Sequence, residues 1–172
     1  MLQLREKEVI ITIEVAKSVR LCQKVEEKMF SGEYAHNLDV KGRITIPAKF
    51  RELLGNEFVI TKGTDKCLMI FPMDMWNEFT AELQKLPRSK NARDYIRHMV
   101  GSAEDIIPDK MGRGLLSQAL INYASLEKEV VLVGTIDRIE IWDKAAWDKH
   151  SEDVCEHIEE IGEELADQGF YV

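Results

Sequence analysis

Short apolar runs and alternating apolar and polar positions occur in two sets along the chain, and segments with helical spacing follow each set. The runs and the alternation predict strands near residues 33–38, 44–46, 57–62, 67–71, 104–107, 114–116, 129–134 and 138–142. Apolar residues three or four apart predict helices near residues 47–54, 73–86, 90–100 and 117–124, and a long terminal helix after residue 143. This order predicts an α+β fold, a compact β-barrel with peripheral helices.

Local signals mark the ends of several of these helices. Pro47 suits the first helical position, because its missing amide would have no partner there, and Gly55 suits the position just past the end. Ser117 is the expected cap of the corresponding helix in the second half, and Asp143 is the expected cap of the terminal helix. An apolar stripe runs along that helix and consists of Trp147, Val154, Ile158, Ile161 and Leu165.

One small unit occurs twice in the chain. Asp39-Val40-Lys41-Gly42-Arg43 recurs as Asp109-Lys110-Met111-Gly112-Arg113, and each copy is followed by a short apolar strand and a short helix. The correspondence continues in order through three further pairs, which are Gly63-Thr64 with Gly134-Thr135, Ile70-Phe71 with Ile141-Trp142, and Trp76 with Trp147. An ordered series of this kind indicates an internal duplication.

The repeated motif predicts a tight turn. Gly42 suits a position with positive φ, and the Asp39 carboxylate can fold back onto the amides of the turn. The Arg43 side chain therefore emerges from a rigid turn. It is either available for contact with DNA or only braces the turn through Asp39. Lys41 lies at the tip of the turn, where its flexible ammonium group can reach a phosphate.

The segment from Asp39 to Gly55 resembles the SpoVT-AbrB type of DNA-binding domain. It reads Asp-x-x-Gly-Arg-Ile-Thr-Ile-Pro-Ala-Lys-Phe-Arg-Glu-Leu-Leu-Gly. Two such units in one chain, opened by Met29-Phe30-Ser31-Gly32 and each closing on a strand and a tryptophan, resemble the MraZ family of bacterial transcriptional regulators. The resemblance covers roughly residues 29 to 150.

This resemblance implies a swapped-hairpin β-barrel formed within one chain, with a first SpoVT-AbrB domain at 33–76, a helical connector at 77–104 and a second domain at 105–148. An acidic C-terminal helix at 149–172 would follow, and residues 1–28 stand outside the family pattern. The family also implies ring-shaped homo-oligomers in the cytoplasm, associated with the nucleoid. Their partner would be double-stranded DNA with short direct repeats upstream of the division and cell-wall gene cluster.

The resemblance implies that Lys41 and Arg43 bind DNA and that Asp39 and Gly42 support the turn. In the second copy it points to Arg113, which matches Arg43, and to Lys110 in the same turn. Arg113 lies in the acidic half of the chain, so structural symmetry or a subunit contact is the alternative. The densest basic stretch is either a solvated helix face or a further DNA contact, and it consists of Lys85, Arg88, Lys90, Arg93 and Arg97.

The net charge of −8 is an objection to DNA binding, because neutralisation of phosphates drives most affinity for nucleic acid. Its distribution weakens the objection. Residues 29–100 carry 11 Lys and Arg against 9 Asp and Glu, whereas residues 101–172 carry 6 against 17. A protein with basic loops and an acidic far side can orient itself on DNA.

Nothing in the sequence indicates catalysis, a cofactor or a small-molecule substrate. The histidines, at positions 36, 98, 150 and 157, occur in no HExxH motif and near no GxSxG serine. Cys155 and His157 with His150 come nearest to a metal cluster, but one helix cannot complete a tetrahedral site. Cys67 is expected to be a small core residue. Trp76 and Trp147 are expected to anchor the core rather than to stack on bases.

Two further alternatives remain open from the sequence. Related barrels also occur in antitoxins, so the chain is either a DNA-binding regulator or a protein-binding module in which the terminal helix holds a partner. Antitoxins of this type carry one Asp-x-x-Gly-Arg unit, and this chain carries two. Residues 1–28 are either a loosely held tail or an interaction segment. They contain no apolar stretch long enough for a membrane span.

Overall fold

A computed structural model describes residues 29–170 of the chain. The first half contains β1 (Phe30–Asn37), β2 (Arg43–Thr45), α1 (Ala48–Leu54), β3 (Phe58–Lys62), β4 (Leu68–Pro72), α2 (Met73–Leu83) and α3 (Lys90–Met99). The second half contains β5 (Glu104–Ile106), β6 (Arg113–Leu115), α4 (Gln118–Tyr123), β7 (Glu129–Ile136), β8 (Ile139–Asp143) and α5 (Lys144–Asp167). The predicted α+β class is confirmed, and the expectations for residues 1–28 lie outside the described residues.

The helix predicted over residues 73–86 is shorter than expected, because α2 ends at Leu83. The amides of Lys85 and Leu86 donate to carbonyls only three residues back, at 3.0 and 3.2 Å. The following Pro87 disfavours helical backbone at Leu86. The chain therefore leaves the helix through tighter turns before the proline is reached.

The strands form a six-stranded sheet in the order β1-β7-β8-β4-β3-β5 and a two-stranded sheet of β2 with β6. All of these pairs are antiparallel. Exchanging each strand for its counterpart in the other copy reverses the order of the six-stranded sheet and leaves it otherwise unchanged. The duplication therefore produces an approximate twofold axis between β4 and β8, where the counterpart residues Met69 and Glu140 lie opposite each other.

Strands from one half complete the sheet of the other half. β1 pairs with β7 along its whole length, from Phe30 opposite Ile136 to Asn37 opposite Glu129. β5 in turn pairs with β3, with Ile106 opposite Phe58. Within one copy only a hairpin is paired, β3 with β4 or β7 with β8, so the two halves must fold together to complete the sheet.

The main core lies between the sheet and the short helices α1 and α4, and both halves contribute to it. Phe50 of α1 is fully buried, and its ring makes edge contacts with Phe30 and Tyr34 at centroid distances of 5.8 and 4.9 Å. Leu120 of α4 occupies the corresponding place in the second half and is also buried. Alternate residues of the central strands, such as Leu68 and Ile70 of β4, face this core, so the repeated pattern produces one hydrophobic cluster.

The connector helices cover a second, smaller cluster on the other side of β4. Phe71 and Met99 are buried there, and Trp76 lies 5.7 Å from the Phe71 ring. Trp147 packs in the same way against Trp142, at 5.6 Å. Both tryptophans thus contact an aromatic residue of the preceding strand, which agrees with the core-anchor interpretation.

The terminal helix α5 begins where the sequence predicts, because the Asp143 carboxylate accepts hydrogen bonds from the amides of Ala145 and Ala146 at 3.1 and 3.3 Å. Its apolar stripe, however, is largely uncovered within residues 29–170. Ile158 is 55% exposed, and Ile161 and Leu165 are each 37% exposed. None of the helices described by the structure is long and apolar enough to span a membrane.

Candidate nucleic-acid interface

The first repeated turn is held by the carboxylate of Asp39. Its Oδ1 atom accepts hydrogen bonds from the amides of Lys41 and Arg43, at 2.8 and 3.0 Å. Its Oδ2 atom accepts from Nε of Arg43 at 2.7 Å and lies 2.6 Å from Nη2. Gly42 has a φ of 76°, and its amide donates to the Asp39 carbonyl at 2.9 Å. The Arg43 guanidinium is therefore fixed on one side, whereas its Nη1 group is not part of this clasp.

The second turn repeats the same geometry. Asp109 accepts from the amides of Met111 and Arg113, at 2.9 and 3.1 Å, and from Nε of Arg113 at 2.8 Å. Nη2 of Arg113 lies 2.6 Å from Asp109, and Gly112 has a φ of 73°. Because the residues at the tips differ, the shared aspartate, glycine and arginine are sufficient to specify the turn.

The clasps shift the titration of both aspartates. The hydrogen bonds from the Arg43 side chain and backbone amide lower the pKa of Asp39 to about 2. The matching bonds from Arg113 lower the pKa of Asp109 to about 2. Both carboxylates are therefore ionised throughout the neutral range, and each offsets one charge of the arginine that it holds.

We expect the clasps to stabilise the folded protein above pH 4 and to lose this effect in acid. A pKa lowered from 3.8 to about 2 favours the folded state above the ordinary value, and the contribution declines as the pH falls from about 4 toward about 2. The Asp39→Asn, Asp109→Asn double variant should therefore melt below the wild type at pH 6 and approach it near pH 2. Thermal unfolding followed by circular dichroism across this range measures the difference.

Asp94→Asn is the matched control, because it removes an exposed ion pair with Arg97 on α3. Such a surface pair contributes little, so this variant should melt close to the wild type at neutral pH. A melting difference between the wild type and the double variant that stays constant from pH 6 to pH 2 would contradict the role of the clasps.

The two turns lead into one two-stranded ribbon formed by β2 and β6. Arg43 lies opposite Leu115, and Thr45 lies opposite Arg113. The alternate positions, Ile44 and Gly114, are buried. Residues directly opposite each other in an antiparallel pair share a face, so both arginines lie on the outward face as diagonal neighbours, about 7–8 Å apart at the backbone.

Electrostatics reflects this proximity. The hydrogen bond to Asp109 raises the pKa of Arg113, and the carboxylate of Asp39 from the other turn adds to this effect. Arg113 belongs to the acidic half of the sequence, but in the fold it stands beside Arg43. The two arginines, which lie in different halves of the sequence with different net charge, are therefore neighbours on the ribbon.

Each turn is supported by the other half of the chain. The Gly42 carbonyl accepts from the amide of Leu116 at 2.8 Å, and the Gly112 carbonyl accepts from the amide of Ile46 at 3.0 Å. A Cβ atom on Gly42 would lie 3.1 Å from Cδ1 of Ile121 on α4. The candidate site therefore exists only when both copies have folded onto each other.

Arg51 of α1 is a basic residue of this region for which the sequence alone indicated no role. Its side chain covers the second turn so closely that a Cβ atom on Gly112 would lie 2.5 Å from its Cδ. Its counterpart in the repeat is Ile121, which covers the first turn. Aligning the two copies identifies this pair of positions, but only the fold shows that each one covers the opposite turn.

The remaining candidates lie away from the turns along the chain. The basic residues of 85–97 are exposed, and two of them pair with acids three residues earlier in the chain, Lys85 with Glu82 and Arg97 with Asp94. Cys67 is buried, and burial raises the pKa of its thiol to about 12. In the part of the chain from 29 to 170, no three histidine, cysteine or acidic side chains are grouped so as to hold a metal ion.

Comparison with known proteins agrees with the duplicated architecture. The family model described as "MraZ protein, putative antitoxin-like" matches residues 29–97 and again residues 99–168. A protein of Acetivibrio thermocellus named Transcriptional regulator MraZ is 43% identical over 139 residues, which cover 80% of this chain and 97% of the relative.

Two further relatives with the same name extend this comparison. The protein of Clostridium tetani is 43% identical over 142 residues, covering 82% of this chain and 99% of the relative. The protein of Halothermothrix orenii is 45% identical over 142 residues, with the same coverage. The chain belongs to the MraZ family, and the resemblance inferred from the repeated motif is confirmed.

Proposed function

We propose that this protein is a sequence-specific DNA-binding transcriptional regulator that acts through the outward face of the β2-β6 ribbon. The observation that carries the proposal is the pair of clasped arginines, Arg43 and Arg113, which one ribbon presents side by side. The major groove of B-DNA is wide enough to admit a two-stranded β-ribbon. The printed names of the relatives support the same class of protein.

The residues of the site have different proposed roles, which follow from the chemistry of their side chains. Arg43 and Arg113 offer guanidinium groups in a fixed orientation, which suits bidentate contact with guanine or with a phosphate. Lys41 and Lys110 are exposed at the tips, where flexible ammonium groups suit phosphates. Asp39 and Gly42 hold the turn, so the Arg43 side chain is already oriented and loses little conformational entropy when it binds DNA.

The exchange of strands supports the swapped-hairpin barrel that the family resemblance implies. Interchanging the two copies only reverses the order of the strands in the six-stranded sheet, and each copy supplies a strand to the sheet of the other. In this interpretation a single chain forms the unit that two chains of a single-copy SpoVT-AbrB protein would form together. The connector at 77–104 then joins the two halves on the outside of the barrel.

The exposed stripe of α5 supports a homo-oligomer. Ile158, Ile161 and Leu165 repeat at helical spacing and lack cover within residues 29–170, and a second copy would remove them from water. We infer a ring in which several ribbons engage successive short repeats upstream of the division and cell-wall gene cluster. Such a protein would work in the cytoplasm, in association with the nucleoid.

A second candidate function is an antitoxin-like or other protein-binding module. The same exposed stripe favours it, because the stripe would also fit the apolar surface of a foreign partner. The second Asp-x-x-Gly-Arg turn favours the regulator, because both turns keep the complete clasp. Purification of the native protein with a stoichiometric small toxin would reverse this ranking.

A gel shift against DNA from upstream of the protein's own gene tests the proposed function. We expect tight binding, and the logarithm of the association constant should fall linearly with the logarithm of the salt concentration, because binding to phosphates releases counterions. A shuffled fragment of the same composition serves as the control. Equal affinity for both fragments would exclude sequence-specific regulation through this DNA.

A further inference from the structure

Large apolar side chains lie exposed around the two arginines. Leu115 on the ribbon is 56% exposed, and Met111 at the tip of the second turn is 65% exposed. Val40 at the tip of the first turn is fully exposed. Such residues gain nothing from the core of their own chain, so their position beside cationic groups suggests a partner that is charged and partly apolar.

The register of the ribbon directs Leu115 outward. Its neighbours on either side face the core, since Leu116 is 3% exposed and a Cβ atom on Gly114 would lie 3.2 Å from Ile106. Successive side chains of a strand alternate between the two faces. Leu115 therefore shares the outward face with Arg43, its direct partner across the ribbon.

The two residues also form the closer of the two kinds of antiparallel pair. The flanking cross-strand hydrogen bonds join Leu116 to Gly42 and Ile46 to Gly112. These positions alternate with the Arg43–Leu115 pair, which is therefore a pair without its own hydrogen bonds. The Cα atoms of such pairs are about 4.5 Å apart, and their side chains lie close together.

The repeat gives the second arginine a different neighbour. The residue opposite Arg113 is Thr45, which is the counterpart of Leu115 in the duplicated unit. The ribbon is thus close to twofold symmetric in its backbone but not in its chemistry. One arginine has an apolar partner and the other has a hydroxyl, so the two ends of the ribbon can distinguish different base pairs.

We propose that Leu115 is a specificity-determining residue that contacts the C5-methyl group of a thymine next to the base pair contacted by Arg43. This inference rests on the proposed function. In the major groove only thymine among the four bases carries a methyl group, and apolar side chains recognise it by contact. A leucine fixed about one strand spacing from an arginine is suited to read the step beside the arginine contact.

Replacement of thymine by uracil tests this contact without knowledge of the operator. The fragment upstream of the gene is amplified once with dTTP and once with dUTP, which removes the methyl groups and leaves the base-pairing groups unchanged. Wild-type protein should bind the thymine fragment more tightly, by about fourfold for each methyl group that it buries. Leu115→Ala should bring the thymine-to-uracil affinity ratio markedly closer to one.

Ile136→Ala is the matched control, because Ile136 is 61% exposed at the end of β7 and belongs neither to the ribbon nor to the stripe of α5. The ratio of its affinities for the two fragments should stay at the wild-type value. Equal binding of both fragments by the wild type would overturn the inference and leave the proposed function intact. A ratio unchanged in Leu115→Ala would assign the methyl contact to another residue, and absence of specific binding to either fragment would reject the proposed function itself.

Discussion

Arg43→Ala is expected to abolish specific binding to the upstream DNA while the protein keeps its fold. A bidentate arginine contact discriminates between bases by about 1–3 kcal/mol, and every copy in an oligomer would lose its contact at once. The turn should survive, because Oδ1 of Asp39 still accepts from the amides at positions 41 and 43. A partly exposed ion pair such as that of Arg43 contributes little to stability.

Gel shift and thermal melting on the same preparation separate these two effects. Lys144→Ala is the control, because Lys144 is also paired with an aspartate, Asp148, but lies on α5 and outside the candidate DNA contacts. It should bind DNA like the wild type. Arg43→Lys should also bind weakly, since a point charge does not replace a planar fork of donors. Specific binding by Arg43→Ala within about threefold of the wild type would be inconsistent with a base contact of that size.

Arg113→Ala then decides between the interpretations of the second turn. A loss similar to that of Arg43→Ala would mean that both ends of the ribbon contact DNA. Unchanged binding would mean that Arg113 serves the symmetry of the fold or a contact between subunits. Because the two clasps have the same geometry, any difference between the variants reports on the partner and not on the turn.

Affinity for an array of direct repeats is expected to exceed affinity for a single repeat by about 10²–10⁴. One ribbon presents two arginines and two tip lysines, which provide few contacts for tight binding. In a homo-oligomer the first contact makes the following ones intramolecular, and apparent affinity rises without new chemistry. The exposed apolar stripe of α5 supplies a surface through which copies could associate.

Fragments with one, two and three repeats measure this effect, and light scattering gives the subunit number of the same preparation. A fragment in which one repeat is moved by half a helical turn is the control, because that repeat then faces away from the ring. Equal affinity for single and multiple repeats, or indifference to the displaced repeat, would reject the multivalent mechanism. Simple binding of DNA would remain possible.

Neighbouring residues specify the secondary-structure elements and the repeated turns, so both were predictable from the amino-acid sequence. Pro47 marks the start of α1, although it precedes the first helical residue, Ala48, as the cap and does not occupy the predicted first position. Asp39 holds its turn through amides two and four residues away. The duplication was readable for the same reason, since both copies repeat the same local signals. The end of α2 was predicted too late in the chain, at residue 86 instead of Leu83. Pro87 restricts the backbone of the residue before it, so the helix ends before the proline.

Contacts between distant parts of the chain were not predictable in this way. Arg43 and Arg113 are far apart in the chain, and the register between β2 and β6 makes them neighbours. The same register places Leu115 against Arg43, and the exchange of halves lays Arg51 over the opposite turn. Alternation along a strand shows which side chains share a face, but it carries no information about the partner strand. Long-range pairing and the common core select that partner, and through it they build the candidate site.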